Sequence, residues 1–359
     1  MPDFSAGYDR RPMLPPRVSV LVPLYNSAAT LERCLLSAAR QTMRDIEILV
    51  ADDCSTDGGP AIARRLADGD SRIRVIPLPR NGGKPRAMNV MVAQARGTWI
   101  AVLDADDAFH PQRLECLIGA AETHGVAMAA DNILYVDAGV DQAVQHAFDP
   151  ATPSRLIGKA ELLENSNSYA SFDFGILKPV VRRDFLATHD LAYFEQTRLA
   201  EDFYYLMNYF AAGGTAWLVS TPLYFWTMPF GAVSRRWTTT GSGAWRYNYR
   251  EALVANQHYI DLMQTRGEAA IVAMLQARGR QYQVMIHYLD AQQHASRGQK
   301  LRAAATIAGH PSTWRLLAGR IAGRLSRAVR PPPTQAPVDP IAHRNQAGAL
   351  HPVHRSSAQ

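Results

Sequence analysis

Trp99-Ile100-Ala101-Val102-Leu103-Asp104-Ala105-Asp106-Asp107 is the stretch on which the reading of this chain turns. Its first five residues are an apolar run of strand length, and its last four carry three carboxylates. At the carboxyl end of a buried strand in an open α/β sheet, side chains project into the crevice where such folds bind ligands. Carboxylates this close repel one another unless a cation lies among them. Hard oxygen donors suit Mg²⁺ or Mn²⁺, which keep waters and bridge to substrate phosphates. The alternative is an acidic turn that merely follows a strand, and only the remainder of the chain separates the two.

Upstream, three more short apolar runs precede this one. Val18 to Val22 ends at Pro23, Ile46 to Val50 ends at Asp52-Asp53, and Arg74-Val75-Ile76 leads to Asn81-Gly82-Gly83. Helical spacing fills the gaps. Leu31, Cys34, Leu35 and Ala38 follow Ser27 as cap, and Ser55-Thr56-Asp57 opens a helix through Ile62 and Leu66. Another runs through Met88, Val92 and Ala95, and a further one starts at Pro111. Strands alternating with helices at this spacing predict an α/β fold with a doubly wound, mostly parallel sheet. Beyond Ala127 the pattern predicts strands over 126–136 and 216–219. It also predicts a helix opened by Glu201-Asp202, with Phe203, Leu206, Met207 and Phe210 on one face and Gly213-Gly214 at its end. Long helical segments follow Trp237.

The chain has 359 residues, 47% of them hydrophobic and 19% charged, which is a globular balance able to bury a full core. Cys34, Cys54 and Cys116 are too few and too scattered for a disulfide framework or a zinc site, and fit a reducing cytosol. No stretch has the length of an apolar membrane span, and Met1 to Pro16, Pro-rich and polar, lacks a signal-peptide core. The net charge of +6 sits in the C-terminal part, where no acidic residue occurs from Ala291 to Val338. Within it, Ser312 to Val329 places Trp314, Leu317, Ile321 and Leu325 on one side of a helix and Arg320, Arg324 and Arg327 on another. Such a helix either lies on an anionic bilayer or packs on the body with its charges in water. No motif for nucleic acid accompanies the charge.

Functional candidates fall at successive strand ends, in the order a nucleotide-sugar pocket requires. Pro23 and Tyr25 follow the first strand and can edge a base. Asp53 ends the second and can accept from an imide N–H. Lys84 and Arg86 follow the third, at a helix start that suits phosphate. Asp104, Asp106 and Asp107 end the fourth. Singly, each of these has a bland explanation as a turn or surface residue; their ordered recurrence does not.

The segments Val20 to Asn26, Val50 to Asp57, Asn81 to Asn89 and Leu103 to Asp107 together resemble family 2 glycosyltransferases of the GT-A fold, over residues 17–240. Gly175 to Arg183 further resembles the bacterial exopolysaccharide enzymes of the succinoglycan type. The resemblance implies a Rossmann-like central sheet flanked by helices, with a nucleotide-sugar-binding half over 17–125 and an acceptor half over 126–240. A helical extension over 241–330 and disordered ends at 1–16 and 331–359 complete the expected layout. It implies an inverting, metal-dependent transfer from a nucleoside-diphosphate sugar, UDP-linked, to a saccharide or lipid-linked saccharide acceptor. Asp202, in the pattern Phe194-Glu195 then Ala200-Glu201-Asp202-Phe203, takes the role of general base, although Asp also favours a helix start for capping alone. Asp106 is the expected direct ligand of Mn²⁺ or Mg²⁺, with Asp104 on the ribose or the metal. Arg235, in a loop flanked by glycines, is expected on phosphate, and Glu201, Lys178 and Trp237 on the acceptor side. The expected location is the cytoplasm, at the inner face of the membrane through the basic helix. Two rival readings fit the chain less well. A sugar nucleotidyltransferase needs a Gly-rich loop after the first strand, which Pro23-Leu24-Tyr25-Asn26 is not. A non-catalytic binding or scaffold protein does not need the intact acidic cluster and the Glu201-Asp202 pair.

Overall fold

The computed structural model describes residues 15–137, 142–165, 175, 177–197, 200–228, 249–310 and 313–314. Strands β1 (Val18–Leu24), β2 (Ile46–Asp52), β3 (Ile73–Pro77) and β4 (Trp99–Val102) form the parallel half of one sheet, in the order β3-β2-β1-β4. Helices α1 (Ala28–Ala39), α2 (Gly59–Gly69) and α3 (Lys84–Gln94) make the crossovers. Successive strand residues face opposite sides of a sheet. Val18, Val20, Val22, Ile48 and Val50 accordingly pack with Leu31, Cys34 and Leu35 of α1 on one face. Leu21, Leu49, Ile100 and Val102 pack with Met88 and Met91 of α3 on the other. Burial on both faces is what makes these strands read as continuous apolar runs.

The second half is mixed, and β7 (Gln142–His146), β8 (Arg155–Ile157), α5 (Lys159–Asn165) and α6 (Arg183–Thr188) complete its margin. After α4 (Arg113–Thr123), β6 (Met128–Asp137) pairs antiparallel with β9 (Val180–Arg182), which itself lies antiparallel against β4. The strand β10 (Ala216–Met228) runs parallel to β6 and meets the short β5 (Ala108–Phe109) at Tyr224 and Phe225. Because β5 directly follows Asp107, this pairing brings the far end of β10 under the acidic cluster. The helix α7 (Glu201–Ala211) follows Ala200, whose φ is 55°, and presents its first turn to the carboxyl ends of the parallel strands. It is held from behind by α8 (Tyr249–Thr265) and α9 (Ala269–Ser296), which α10 (Lys300–Ala308) follows. Tyr204 stacks on Tyr259 at 4.5 Å, and the Arg278 guanidinium sits 3.9 Å from the Phe203 ring centre. Among the described residues no helix is long and apolar enough to cross a membrane.

Three local expectations are corrected. Ser27 does not cap α1; its hydroxyl donates to the Tyr25 carbonyl at 3.1 Å. The cap comes from across the crevice, where Asp57 accepts the Ala28 N–H at 2.8 Å and the Gly59 N–H at 2.9 Å. One carboxylate thus serves the starts of two helices. For the same reason α2 begins at Gly59 and not at Ser55, since Ser55 and Thr56 are engaged by the backbone and side chain of Asn26. Finally, β9 escaped the sequence pattern because three residues are too few to show a period, and β10 continues nine residues beyond Val219. Replacing Asp57 with Ala should cost about 1–2 kcal/mol, the usual worth of a lost cap. The urea midpoint of unfolding should fall accordingly, and an unchanged midpoint would refute the shared cap.

Candidate active site

Two lysines and three carboxylates meet where the sheet changes from parallel to mixed. Lys84 opens α3, and its Nζ lies 2.8 Å from Asp104 Oδ1, 2.8 Å from Asp202 Oδ2 and 3.6 Å from Glu201 Oε1. Lys178, just before β9, places its Nζ 2.8 Å from Asp104 Oδ2 and also on Asp202 Oδ2. Burial would raise the Asp104 carboxyl, yet the Lys178 and Lys84 ammoniums outweigh it and hold this acid well below the usual carboxylate range. Burial likewise works against both ammoniums, and the facing carboxylates overcome it and raise them. Glu201 is raised, by burial and by Asp202, against the pull of Lys84. The cluster thus keeps Asp104 ionised at any ordinary pH.

The rest of the acidic turn divides into one structural and one open group. Asp107 is 1% exposed and accepts from the Tyr224 hydroxyl at 2.6 Å and the Thr227 N–H at 2.9 Å. The same Tyr224 oxygen accepts the Asp104 N–H at 3.2 Å, so β10 braces the turn from below. Arg33 of α1 braces it from the side, donating to the Asp106 carbonyl at 2.9 Å and to the Thr227 hydroxyl. That leaves the half-buried Asp106 carboxyl, which no other side chain engages among the described residues. Burial and the neighbouring Asp104 charge push it up to about 7. A bound cation would offset both causes of that rise.

This donor set bears on a divalent ion. Among the described residues no three His, Cys, Asp or Glu side chains are grouped as ligands. A Mg²⁺ or Mn²⁺ ion does not need such a cage, because it is held through one or two carboxylates plus waters and substrate phosphates. Asp106 meets that requirement. Asp104 meets it only where an ammonium gives way, since both its oxygens already face lysines.

Asp53 is 3% exposed, and its two oxygens accept the Gly82 and Gly83 N–H groups at 2.7 and 2.8 Å. Here the carboxylate latches the loop that carries Lys84. A Cβ on Gly82 would come within 2.2 Å of Arg86 Cδ, so any larger residue there has to displace the Arg86 side chain. Gly83, at φ 81°, turns the chain into α3. Arg86 therefore lies folded over its own loop. Pro23 sits within β1 opposite Ala51, and the half-buried Tyr25 follows that strand. The structure gathers Lys84, Asp104, Lys178, Glu201 and Asp202 into one site and sets Asp106 beside them. Arg235 and Trp237 lie outside the described residues, as does the stretch 312–329 apart from Thr313 and Trp314.

Arg33, Tyr224 and Thr227 were not singled out from the sequence. Arg33 reads as one of many helix-surface arginines. The two β10 residues gain their role through pairing with β5, more than a hundred residues earlier. No local pattern carries that contact.

Sheet order and kinship with known proteins together make this protein a glycosyltransferase of the GT-A fold. The chain belongs to glycosyl transferase family 2, whose family model matches residues 19–184. It is 31% identical over 349 residues to the succinoglycan biosynthesis protein ExoO of Rhizobium meliloti (strain 1021), covering 93% of this chain and 95% of that protein. It is 29% identical over 333 residues to ExoU of the same organism, covering 90% of this chain and 92% of that protein. Among solved structures, S. aureus TarS 1-349 in complex with UDP-GlcNAc shares the fold, with a TM-score of 0.53 and 21% identity over 67% of this chain and 65% of that one.

Proposed function

We propose that the protein moves a sugar, with inversion, from a nucleoside-diphosphate donor to a saccharide or lipid-linked saccharide acceptor in exopolysaccharide or other cell-surface glycan synthesis. UDP is the expected nucleotide. The observation that carries the reading is the meeting of Lys84 with both Asp104 and Asp202 at 2.8 Å. It joins a phosphate-loop cation, the acidic turn and the base helix within the reach of one sugar diphosphate. The roles follow from charge. Lys84, at the start of an 11-residue helix, faces the diphosphate with the helix dipole behind it. Asp202 takes the proton of the acceptor hydroxyl as that oxygen attacks the anomeric carbon, and the bond to the diphosphate oxygen breaks on the opposite face. Asp106 would hold the Mn²⁺ or Mg²⁺ ion, which when bound supplies positive charge to the departing diphosphate. The ExoO and ExoU relationship supports an exopolysaccharide acceptor. The basic segment around Trp314 supports contact with an anionic bilayer at the cytoplasmic face.

A panel of UDP-glucose, UDP-galactose, UDP-N-acetylglucosamine and GDP-mannose, with and without Mn²⁺, tests the reading. Nucleotide should be released from at least one donor, faster with metal, and D106N should remove the metal's effect. Release from none would refute it. Since the Asp106 carboxyl titrates near pH 7 and only its ionised form binds a cation, protons compete with the metal. Metal-dependent UDP affinity, measured by calorimetry, should therefore rise with pH through about 7. Below that it should weaken by roughly tenfold per unit. A flat profile between pH 5.5 and 8 would exclude Asp106 as the ligand.

A further inference from the structure

We infer that Lys178 is a positioning residue for the transfer, fixing the base Asp202 to the donor side of the site. This rests on the reading of Asp202 as the base. Lys178 is 5% exposed, and its ammonium bridges Asp104 Oδ2 and Asp202 Oδ2. Its backbone is fixed as well, because its carbonyl accepts from the Arg113 guanidinium, which is itself buried. Trp226 of β10 lies beside it, with the ring centre 5.9 Å from Nζ. The lysine is therefore held at both ends, through its carbonyl and through its ammonium.

The two lysines differ in a way that matters for turnover. Lys84 stands at the start of α3 with 20% of its side chain exposed, where an arriving diphosphate competes for it. Lys178 is enclosed and has no such route. When a donor draws Lys84 away from Asp202, Lys178 remains as the one described cation on that carboxylate. Both lysines contact Oδ2, and Oδ1 makes no hydrogen bond among the described residues. The carboxylate is thus presented with one oxygen engaged and the other open to the acceptor hydroxyl. Asp104, held by the same ammonium, ties that orientation to the acidic turn.

The test is K178A, assayed by nucleotide release from the panel's best donor with saturating Mn²⁺, together with calorimetry for UDP. The expected result is a kcat about 10²-fold lower, with the donor KM and UDP affinity within about threefold of wild type. Ethylammonium, which can refill the space left by the truncated side chain, should restore at least about tenfold of the rate, as a simple packing defect would not allow. In a D202N background K178A should add little further loss, because the residue acts through Asp202. K178M, of similar length, replaces K178A where the latter does not fold. Wild-type kcat in either variant overturns the inference. So does a loss of UDP binding equal to the loss of kcat without amine rescue, which would make Lys178 a donor-site residue. Wild-type protein inactive on every donor would defeat the functional reading itself, whereas an active wild type with an equally active K178A defeats only this inference.

Discussion

D202N should lower the rate of sugar transfer by about 10²–10⁴-fold, the range a positioned general base supplies, while leaving UDP affinity within a few fold. The amide keeps the shape of the side chain and its place in the first turn of α7, but it cannot take a proton at neutral pH. What it loses is a negative charge facing Lys84 and Lys178. Those ammoniums retain Asp104 Oδ1 and Oδ2 as partners at 2.8 Å each. The cluster therefore stays paired, and the variant should fold with an unfolding temperature close to wild type. A loss of rate with retained fold and retained nucleotide binding separates a base from a helix cap. Capping alone would be served almost as well by Asn, which ranks beside Asp at helix starts. Stopped-time measurement of nucleotide release at saturating donor reads the effect, and wild-type turnover in D202N would end the assignment.

How far the sequence reveals this site depends on the range of the contacts that make it. The parallel half was readable because each strand is buried on both faces, so its residues stay apolar throughout and its end is marked by a polar turn. Asp53, Lys84 and Asp104 could be picked out as polar residues at or just after those ends, and Asp202 through the family pattern at the start of α7. Their partners could not. Asp53 faces the Gly82 and Gly83 N–H groups, which only the approach of two loops creates. Asp107 looked like part of a metal cluster, yet Tyr224 and Thr227 from β10 occupy both its oxygens. The helix cap on α1 shows the same limit: Ser27 had the right type and position, and Asp57, 29 residues away from Ala28, took the role. Local patterns give the elements and the ends of elements. Which carboxylate answers which cation follows from sheet order, and β9 and β10 enter that order through pairings no local period announces.

R113M should be the most destabilising single change in the described chain outside the apolar core. Arg113 is fully buried and Asp131 is 1% exposed, with Nη2 donating to Oδ1 at 2.7 Å and Nε shared between both oxygens at 3.2 Å. The guanidinium also lies 4.3 Å from the Phe109 ring centre and donates to the Lys178 carbonyl. Asp131 in turn accepts the Leu223 N–H at 3.1 Å, so the pair links α4, β6, β10 and the segment before β9. Methionine preserves much of the volume and none of the charge. It leaves Asp131 buried and unpaired, a change that typically costs about 3–5 kcal/mol. At about 2–4 °C per kcal/mol for a chain of this size, the midpoint of thermal unfolding should drop by roughly 6–20 °C. The pH dependence gives the sign of the cause. Burial already raises the Asp131 carboxyl, and Arg113 works against that rise. Without Arg113 the folded-state pKa climbs further above its unfolded value, so the folded state binds the extra proton and loses stability as pH rises. The gap between variant and wild type should therefore be narrower at pH 5 than at pH 8. Adding D131N to R113M should recover part of the loss, because a neutral amide in that place carries no unpaired charge. A destabilisation equal at both pH values, and unrelieved by D131N, would mean that packing against Phe109 and Tyr224, and not the charge pair, is what Arg113 contributes.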